Sequence, residues 1–399
     1  MNISKFSIEN YRSLKDLKID GFATTTIFYG DNNAGKSNVL NAMQLIFSRK
    51  PKLTSEGLTD FENFYQGILR DSQNSYFNNN TSQPIKFSVD VELSKSELAI
   101  DEAIKLLFKT GNKFTFTFEG SITFIGQENH DYSEFKIETI KLGAVVIYLN
   151  TTDISFFPSL DKTQKKQGEL ERAFSHLIDI FNDCVHVVSS DRDMHETPMV
   201  SEENFKLDPK TFKKFLYSLY LSPRQFNLFE QINTVYSQAP FNFGTISFSN
   251  DNGKLEIMIQ EKDFRLPIKH LGSGALQALY IITSIICSKS KIVCLEELEQ
   301  NLSPKKQYET LIKIQAMITD PKLSLNQLLI SSHSSVYAKP KLGTIYFLEK
   351  LAGQTSINKK ETTKICKKLQ GHLADSQGEW NPADMVGIKK RLKEKHDFV

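Results

Sequence analysis

A phosphate-binding pattern near the start of the chain constrains its fold most. Residues 30–37 read GDNNAGKS and match GxxxxGK[ST], between a strand-like run and a segment whose apolar residues recur at helical spacing. Glycines at these places let successive backbone N–H groups and the start of the helix face a phosphate. Lys36 would reach the β- and γ-phosphates, and the Ser37 hydroxyl would ligate Mg²⁺. A chance glycine turn before a helix is the other interpretation, and the full match in this setting disfavours it.

A pair of carboxylates ends an apolar strand late in the chain. Residues 291–297 read KIVCLEE, and neighbours on a strand point to opposite sides, so Glu296 and Glu297 can have different tasks. Glu296 would reach Mg²⁺ directly or through water, and Glu297 would polarise an attacking water as a general base. Taken alone, such a pair is as often a solvated strand end.

A second helix start offers another anion site. Residues 271–277 read LGSGALQ, and Ser273 and Gly274 stand where free amides begin an apolar helix. Either the protein binds two anions or one site is built from two chains. A turn of this composition is by itself a common helix cap.

A histidine follows the next predicted strand. Residues 327–330 form an apolar run that leads into SSHSS, and His333 could sense the γ-phosphate and hold the attacking water. A lone histidine at a strand end is usually structural, so only its order relative to the other motifs supports this role.

Composition limits the kind of protein. With 399 residues, 40% of them hydrophobic, the chain can bury one large core or two lobes. A formal net charge of +2 gives no overall field that demands nucleic acid or an acidic membrane. The N-terminus lacks the pattern of a signal peptide, and the longest apolar stretch is too short to span a membrane. We therefore expect a soluble cytoplasmic protein with no membrane partner.

Other local patterns predict the remaining elements. Residues 3–8 alternate as a strand, and residues 50–84 are read as a loop with short helices. Alternating apolar residues on both sides of Glu119-Gly120 indicate a hairpin that turns there. A helix is predicted over residues 163–180.

The order of the four motifs resembles that of ABC-type ATPases related to SMC and RecF proteins. It is most similar to the ATPase domain of the OLD family and related prokaryotic defence ATPases, whose N-terminal strand pair the opening FSIENYRSLKDLKI resembles. The resemblance implies an α/β P-loop NTPase head with mixed sheets, interrupted by an α+β insertion. Leu298 and Ser303 depart from the family's more typical proline and histidine, and Glu296 stands where most ABC proteins have aspartate.

The resemblance also implies a set of site residues. Ser273 and Gly274 would contact the γ-phosphate held by the P-loop of the opposite protomer, in a homodimer or higher oligomer that encloses two ATP molecules. Mg²⁺ would be held by Ser37 and Glu296, and catalysis would use Glu297 and His333. Besides Ser273 and Gly274, the implied ATP-binding residues are Arg12, Gly30, Asn32, Asn33, Ala34, Gly35, Lys36, Ser37 and Asn38.

Four regions follow from this assignment. Residues 1–50 would form the N-terminal part of the head, and residues 51–240 an insertion that adds strands of the head and a helical lid. Residues 241–350 would complete the head with the signature, the carboxylate pair and the histidine loop. Residues 351–399 would form a basic helical tail, more typical of a solvated helix face than of a DNA contact.

The implied function is a nucleotide-gated dimeric switch that controls a separate effector, such as a nuclease or toxin, in defence against phage or other foreign DNA. OLD nucleases carry a TOPRIM nuclease domain after the ATPase, and the residues after His333 are too few for one. The alternative is a RecF-like ATPase that binds DNA itself in repair or recombination. A transporter ATPase is disfavoured, because transporter ATPases keep these motifs closer together.

Overall fold

A computed structural model describes most of the chain. The described residues are 1–49, 52–54, 57–63, 73–94, 113–127, 130–142, 145–148, 180–182, 184–190, 207, 209–251, 254–288, 290–320, 323 and 325–357.

An eight-stranded antiparallel sheet forms from the alternating segments of the first half. Its strand order is β2-β1-β6-β7-β8-β5-β4, and β9 pairs with β8 beside this path. Every second residue of β6 is buried, so one face of this sheet contacts a core. Its strands are β1 (Asn2–Tyr11), β2 (Leu14–Asp20), β4 (Lys52–Thr54), β5 (Gly57–Asn63), β6 (Ile85–Ser94), β7 (Lys113–Gln127), β8 (His130–Leu142) and β9 (Val145–Tyr148).

A six-stranded, mostly parallel sheet joins the two ends of the described chain. Its order is β10-β14-β15-β3-β16-β17, and only the last pair is antiparallel. Every residue of β14 and β15 is buried, as expected for central strands covered on both faces. Its strands are β3 (Thr25–Tyr29), β10 (Val185–Val188), β14 (Ile292–Glu296), β15 (Gln327–Ser332), β16 (Thr344–Leu351) and β17 (Gln354–Ile357).

Two hydrophobic cores lie on opposite faces of the six-stranded sheet. Phe28 and Cys294 belong to the core shared with α1 and the eight-stranded sheet, whereas Ile27 and Leu295 belong to the core shared with the other helices. The strand period of two therefore assigns neighbouring side chains to different cores. The helices are α1 (Lys36–Phe47), α2 (Phe212–Leu221), α3 (Phe226–Ser237), α4 (Ser273–Cys287) and α5 (Pro304–Ile318).

A three-stranded antiparallel sheet, in the order β11-β12-β13, belongs to the second core, which it shares with α2, α3 and α4. The strands β11 and β12 contact α3 and α2 respectively, and α3 packs against α4. The helix α4, whose start carries residues Gly272, Ser273 and Gly274, is therefore packed on this three-stranded sheet through α3. Its strands are β11 (Thr245–Asp251), β12 (Lys254–Glu261) and β13 (Phe264–Pro267).

The hairpin predicted at Glu119-Gly120 is wrong. The strand β7 runs through this position with only a register shift between the two residues, and it pairs with β6 and β8 along its length. A β-carbon on Gly120 would lie 2.2 Å from the carbonyl oxygen of Lys136 and 2.6 Å from the Phe87 ring. The glycine is therefore needed for close packing between strands, not for a turn.

Two other local predictions also need correction. The stretch of residues 50–84, predicted as a loop with short helices, contains β4 and β5, which extend the eight-stranded sheet. The predicted helical tail begins instead with a strand, since β17 lies within it and pairs with β16. Residues 163–179 of the predicted helix and residues 358–399 of the tail lie outside the described residues. Within the described residues, no helix has the length and apolar character needed to span a membrane.

Candidate nucleotide-binding site

Three of the four predicted motifs meet at one edge of the six-stranded sheet. The parallel strands β3, β14 and β15 end side by side, and each is followed by one of the motifs. The amide of Gly30 donates to the Ser332 carbonyl at 3.3 Å, and the amide of Glu297 donates to the Ser331 carbonyl at 2.9 Å. The phosphate loop, the carboxylate pair and the histidine loop are thus joined by main-chain hydrogen bonds at the edge where α/β folds bind ligands.

The phosphate loop is shaped by its glycines. Gly35 adopts φ 92°, in the left-handed region, immediately before α1 begins. A β-carbon on Gly35 would lie 2.0 Å from Thr355 Oγ1, and one on Gly30 would lie 2.3 Å from the Leu348 carbonyl oxygen. Neither position has room for a side chain, so the loop backbone is fixed against β16 and β17. The first turn of α1 leaves its N–H groups directed out of the helix toward a ligand.

Lys36 lies across this loop. Its ammonium donates to the Gly30 carbonyl at 2.9 Å and to the Asp31 carbonyl at 2.7 Å. Burial lowers the pKa of Lys36, while the negative charges of Glu297, Glu299 and Asp31 oppose that shift. The buried ammonium is therefore placed between the loop and the carboxylates that follow β14.

The other loop residues differ in exposure. Asn32 and Asn33 are exposed, Ala34 is buried, and Ser37 and Asn38 are half-buried. Asn33 Oδ1 accepts from Lys350 Nζ at 3.4 Å. The Asn38 amide donates to Ser13 Oγ at 2.8 Å, so this side chain connects α1 to the turn between β1 and β2.

A buried hydroxyl pair that no sequence motif predicts supports the loop. Ser13 Oγ and Thr355 Oγ1 lie 2.7 Å apart, and the Thr355 amide donates to the Ser13 carbonyl at 2.8 Å. The Thr355 side chain directly faces Gly35, as the 2.0 Å approach shows. The pair therefore ties the first β-turn and β17 to the start of α1.

We expect Thr355→Val to weaken both folding and nucleotide binding. The variant keeps the shape of the side chain but removes one of two paired hydroxyls. Because Ser13 Oγ keeps its hydrogen bond from Asn38, we expect a cost of about 0.5–1.5 kcal/mol, the net value of one hydrogen bond. Chemical denaturation and ATP titration measure the two effects. Thr344→Val, on β16, is the matched control, and equal behaviour of the two variants would contradict a supporting role for Thr355.

The two adjacent carboxylates have different surroundings. Glu296 is buried, and its Oε2 accepts from the Ser190 amide at 3.1 Å. Glu297 has φ 44°, unusual for a residue other than glycine, and its Oε2 accepts from Gln300 Nε2 at 2.5 Å. Strained backbone of this kind concentrates at functional sites. The alternation along β14 puts Glu296 on the same face as Cys294, in the core that α1 covers.

These donors suit a hard divalent cation. Carboxylate and hydroxyl oxygens are the ligands that Mg²⁺ prefers, and it is usually bound through one or two carboxylates together with substrate phosphates. Glu296 and Ser37 are oxygen donors at the sheet edge that carries the phosphate loop, so they fit the predicted Mg²⁺ ligands. Within the described part of the chain, no cluster of three or more His, Cys, Asp or Glu side chains forms a separate metal site.

A carboxylate that was not among the predicted site residues, Glu299, lies beside His333. Glu299 is buried, and its Oε1 lies 3.2 Å from His333 Nδ1. The sequence did contain a signal for this residue, because Glu299 is a third carboxylate in residues 294–300, CLEELEQ, directly after the predicted pair.

Arg12 lies in the turn between β1 and β2 with φ 48°. Its guanidinium carbon is 5.3 Å from the centroid of the Tyr11 ring, and its amide donates to the Ser75 carbonyl at 3.0 Å. The neighbouring Ser13 contacts Asn38 of α1, so the turn that carries Arg12 is held beside the phosphate loop.

The predicted signature residues Ser273 and Gly274 lie at the start of α4, which packs in the other core from α1. Ser273 is exposed at the start of α4, and a β-carbon on Gly272 would meet no atom within 4 Å. A β-carbon on Gly274, by contrast, would lie 2.5 Å from the Asn301 carbonyl oxygen. The glycine at this position therefore packs α4 against the segment after Glu297, while Ser273 faces outward.

Comparisons with known proteins give a family and a fold. Residues 1–338 match the AAA ATPase domain family. A Helicobacter pylori protein described as an ATP/GTP phosphatase is 23% identical over 308 residues, which cover 75% of this chain and 76% of that protein. A solved SMC head bound to the C-winged helix domain of ScpA has a similar fold, with a TM-score of 0.50, 12% identity, and coverage of 90% of this chain and 98% of that chain. The predicted α/β fold with mixed sheets is confirmed.

Proposed function

We propose that the chain, which belongs to the AAA ATPase domain family and is an ATP hydrolase with a fold similar to that of an SMC head, acts as a nucleotide-gated dimeric switch. In this proposal each ATP is bound by the phosphate loop of one protomer and covered by the signature helix of the other. The ATP-bound dimer then controls a separate effector protein.

The separation of Ser273 from the phosphate loop carries this proposal. The helix that begins the phosphate site, α1, packs in one core, and α4, which begins with Ser273, packs in the other. Ser273 is exposed, and the start of a helix is suited to bind an anion. A second protomer related by twofold symmetry could present this surface to the phosphate loop, and the reverse contact would form at the same time.

The chemistry proposed for the site divides among its side chains. Lys36 and the loop amides would bind the phosphates, and bound Mg²⁺ would neutralise charge on the transferred phosphoryl group. Glu297 Oε2 would accept a proton from the attacking water. The Gln300 side-chain amide donates to this oxygen and so holds the carboxylate in place. His333, in the adjacent loop, would hold this water or the terminal phosphate.

Mixing two inactive variants tests the shared site. We expect Ser273→Arg to bind ATP without hydrolysing it, because the arginine blocks the surface offered to the partner. We expect Lys36→Ala not to bind ATP. A heterodimer of the two has one intact site, so an equimolar mixture should recover about a quarter of the wild-type rate if the sites act independently. A mixture as inactive as each variant alone, or full activity of Ser273→Arg alone, would contradict the shared site.

The effector is proposed to be a nuclease or toxin supplied by another chain. The sequence resemblance to OLD-family defence ATPases motivates this role, and that resemblance stays a prediction. The solved SMC head of similar fold carries a domain of a partner protein, which supports the idea that such a head can act through a second chain.

Coexpression with the product of an adjacent gene tests the effector. The Glu297→Gln variant, held in its ATP-bound form, should retain the candidate effector in gel filtration, whereas Lys36→Ala should not. If neither variant binds it, and the protein alone binds duplex DNA in an ATP-dependent and salt-sensitive way, the RecF-like alternative is favoured instead.

A further inference from the structure

Glu299 is a buried carboxylate that holds the histidine loop. Its Oε1 accepts from Ser332 Oγ at 2.7 Å and from the His333 amide at 2.8 Å, and lies 3.2 Å from His333 Nδ1. The Glu299 side chain is 5% exposed, whereas that of His333 is 45% exposed. The Ser332 side chain and the His333 main chain are therefore hydrogen-bonded to one oxygen atom from the segment that follows the carboxylate pair, and the ring nitrogen Nδ1 lies beside the same atom.

The 3.2 Å approach puts Nδ1, and not Nε2, next to the carboxylate. A neutral imidazole that donates from Nδ1 carries its lone pair on Nε2, and a carboxylate is the usual partner that fixes such a ring. Burying a carboxylate is unfavourable unless donors contact it. Among the described residues, Oε1 has two hydrogen-bond donors and the nearby Nδ1, whereas Oε2 is buried without a hydrogen-bond partner. His333 is thus left with Nε2 to interact with a ligand.

Glu299 lies in a segment that also contacts the signature helix. Gly274 of α4 packs against the Asn301 carbonyl. Gln307 donates to the Leu302 carbonyl at 2.8 Å and accepts from Ser334 Oγ at 2.7 Å. Residues 297–302 therefore begin with the proposed base, contact the histidine loop through Glu299, and contact α4 through Asn301.

We infer that Glu299 is a positioning residue that directs His333 Nε2 toward the reacting phosphate and couples this orientation to the signature helix. The inference deepens the proposed function, since it depends on the proposed role of His333 in hydrolysis. It adds a residue to the predicted site residues and gives the segment after Glu297 a defined task.

A double-mutant cycle tests this role. Glu299→Gln keeps the volume and one oxygen acceptor but removes the charge, and we expect kcat to fall about tenfold to a hundredfold with little change in ATP affinity. In the His333→Ala background the same substitution should lower kcat no further, because the group that it positions is gone. Glu261→Gln, on an exposed residue of β12, is the matched control and should keep the wild-type rate.

A spectroscopic measurement separates positioning from a general structural effect. In nitrogen-15 histidine spectra, with the His333 signal assigned by its loss in His333→Ala, wild-type His333 should be protonated on Nδ1. Glu299→Gln and Glu299→Asp should both lose this preference. If Glu299→Gln does not fold, Glu299→Asp, which retracts the carboxylate by one methylene, replaces it in the cycle.

Three results would overturn the inference. Losses of kcat that multiply in the double variant would mean that Glu299 acts independently of His333, with the proposed function intact. An unchanged His333 tautomer in the Glu299 variants would remove the physical basis. Normal hydrolysis by His333→Ala would instead refute the proposed role of His333, and with it any need to position that ring.

Discussion

Replacement of Lys36 by alanine is expected to abolish ATP binding. The ammonium is buried within the phosphate loop and donates to two of its carbonyls, so alanine removes the side-chain cation of the loop and both of these hydrogen bonds. The loss of a charge-assisted contact to a phosphate, combined with the altered loop, should lower the ATP affinity at least a hundredfold. Isothermal titration calorimetry with MgATP measures this directly.

The matched control for Lys36→Ala is Lys18→Ala. Lys18 lies on β2 with a side chain that is 64% exposed, and its ammonium pairs with Asp16. Its removal should leave affinity and thermal stability near the wild-type values. If Lys36→Ala binds ATP as tightly as the wild type and Lys18→Ala do, the assignment of the phosphate site is wrong.

Replacement of Glu297 by glutamine is expected to stop hydrolysis while leaving ATP bound. Glutamine has nearly the same shape but cannot accept a proton from water, and loss of a general base costs about 10²–10⁴ in rate. Because ATP is no longer consumed, the dimer that encloses it should accumulate. Single-turnover hydrolysis and light scattering with MgATP follow the two effects.

Glu261→Gln provides the comparison for this second variant as well, since it makes the same chemical change at an exposed position. Hydrolysis by Glu297→Gln at the normal rate would show that another group activates the water. Slow hydrolysis without an accumulated dimer would keep the base assignment but contradict the proposed gating of the dimer by ATP.

Local sequence patterns predicted the parts of the site that are continuous in the chain. The phosphate loop was recognisable because its glycines, its lysine and the following helix are neighbours in sequence. The apolar run before Glu296 likewise predicted a central strand, and β14 is buried along its whole length. These features depend on contacts within one turn or one strand, which a local pattern can represent.

Contacts between distant residues could not be predicted in the same way. Ser13 and Thr355 are both ordinary polar residues in their own segments, and only the neighbouring positions of the β1–β2 turn and β17 bring them together. Glu299 similarly gains its significance from β15, which places His333 beside it. No spacing rule within one segment reports such a pairing.

The incorrect hairpin at Gly120 illustrates a second limit. A glycine between two alternating runs is compatible with a turn and with a strand that needs close approach to a neighbour. Only the presence of Lys136 and Phe87 against this position distinguishes the two, and both belong to other strands.

The position of β3 in the sheet has a consequence for how the protein is made. This strand, which leads into the phosphate loop, lies between β15 and β16, both of which are synthesised much later. Since domains fold as units while the chain emerges from the N-terminus, β3 and its loop must wait without their sheet partners until those strands leave the ribosome. During that interval the apolar β3 is exposed, so translation that stops before β16 should yield a chain that aggregates and does not bind ATP.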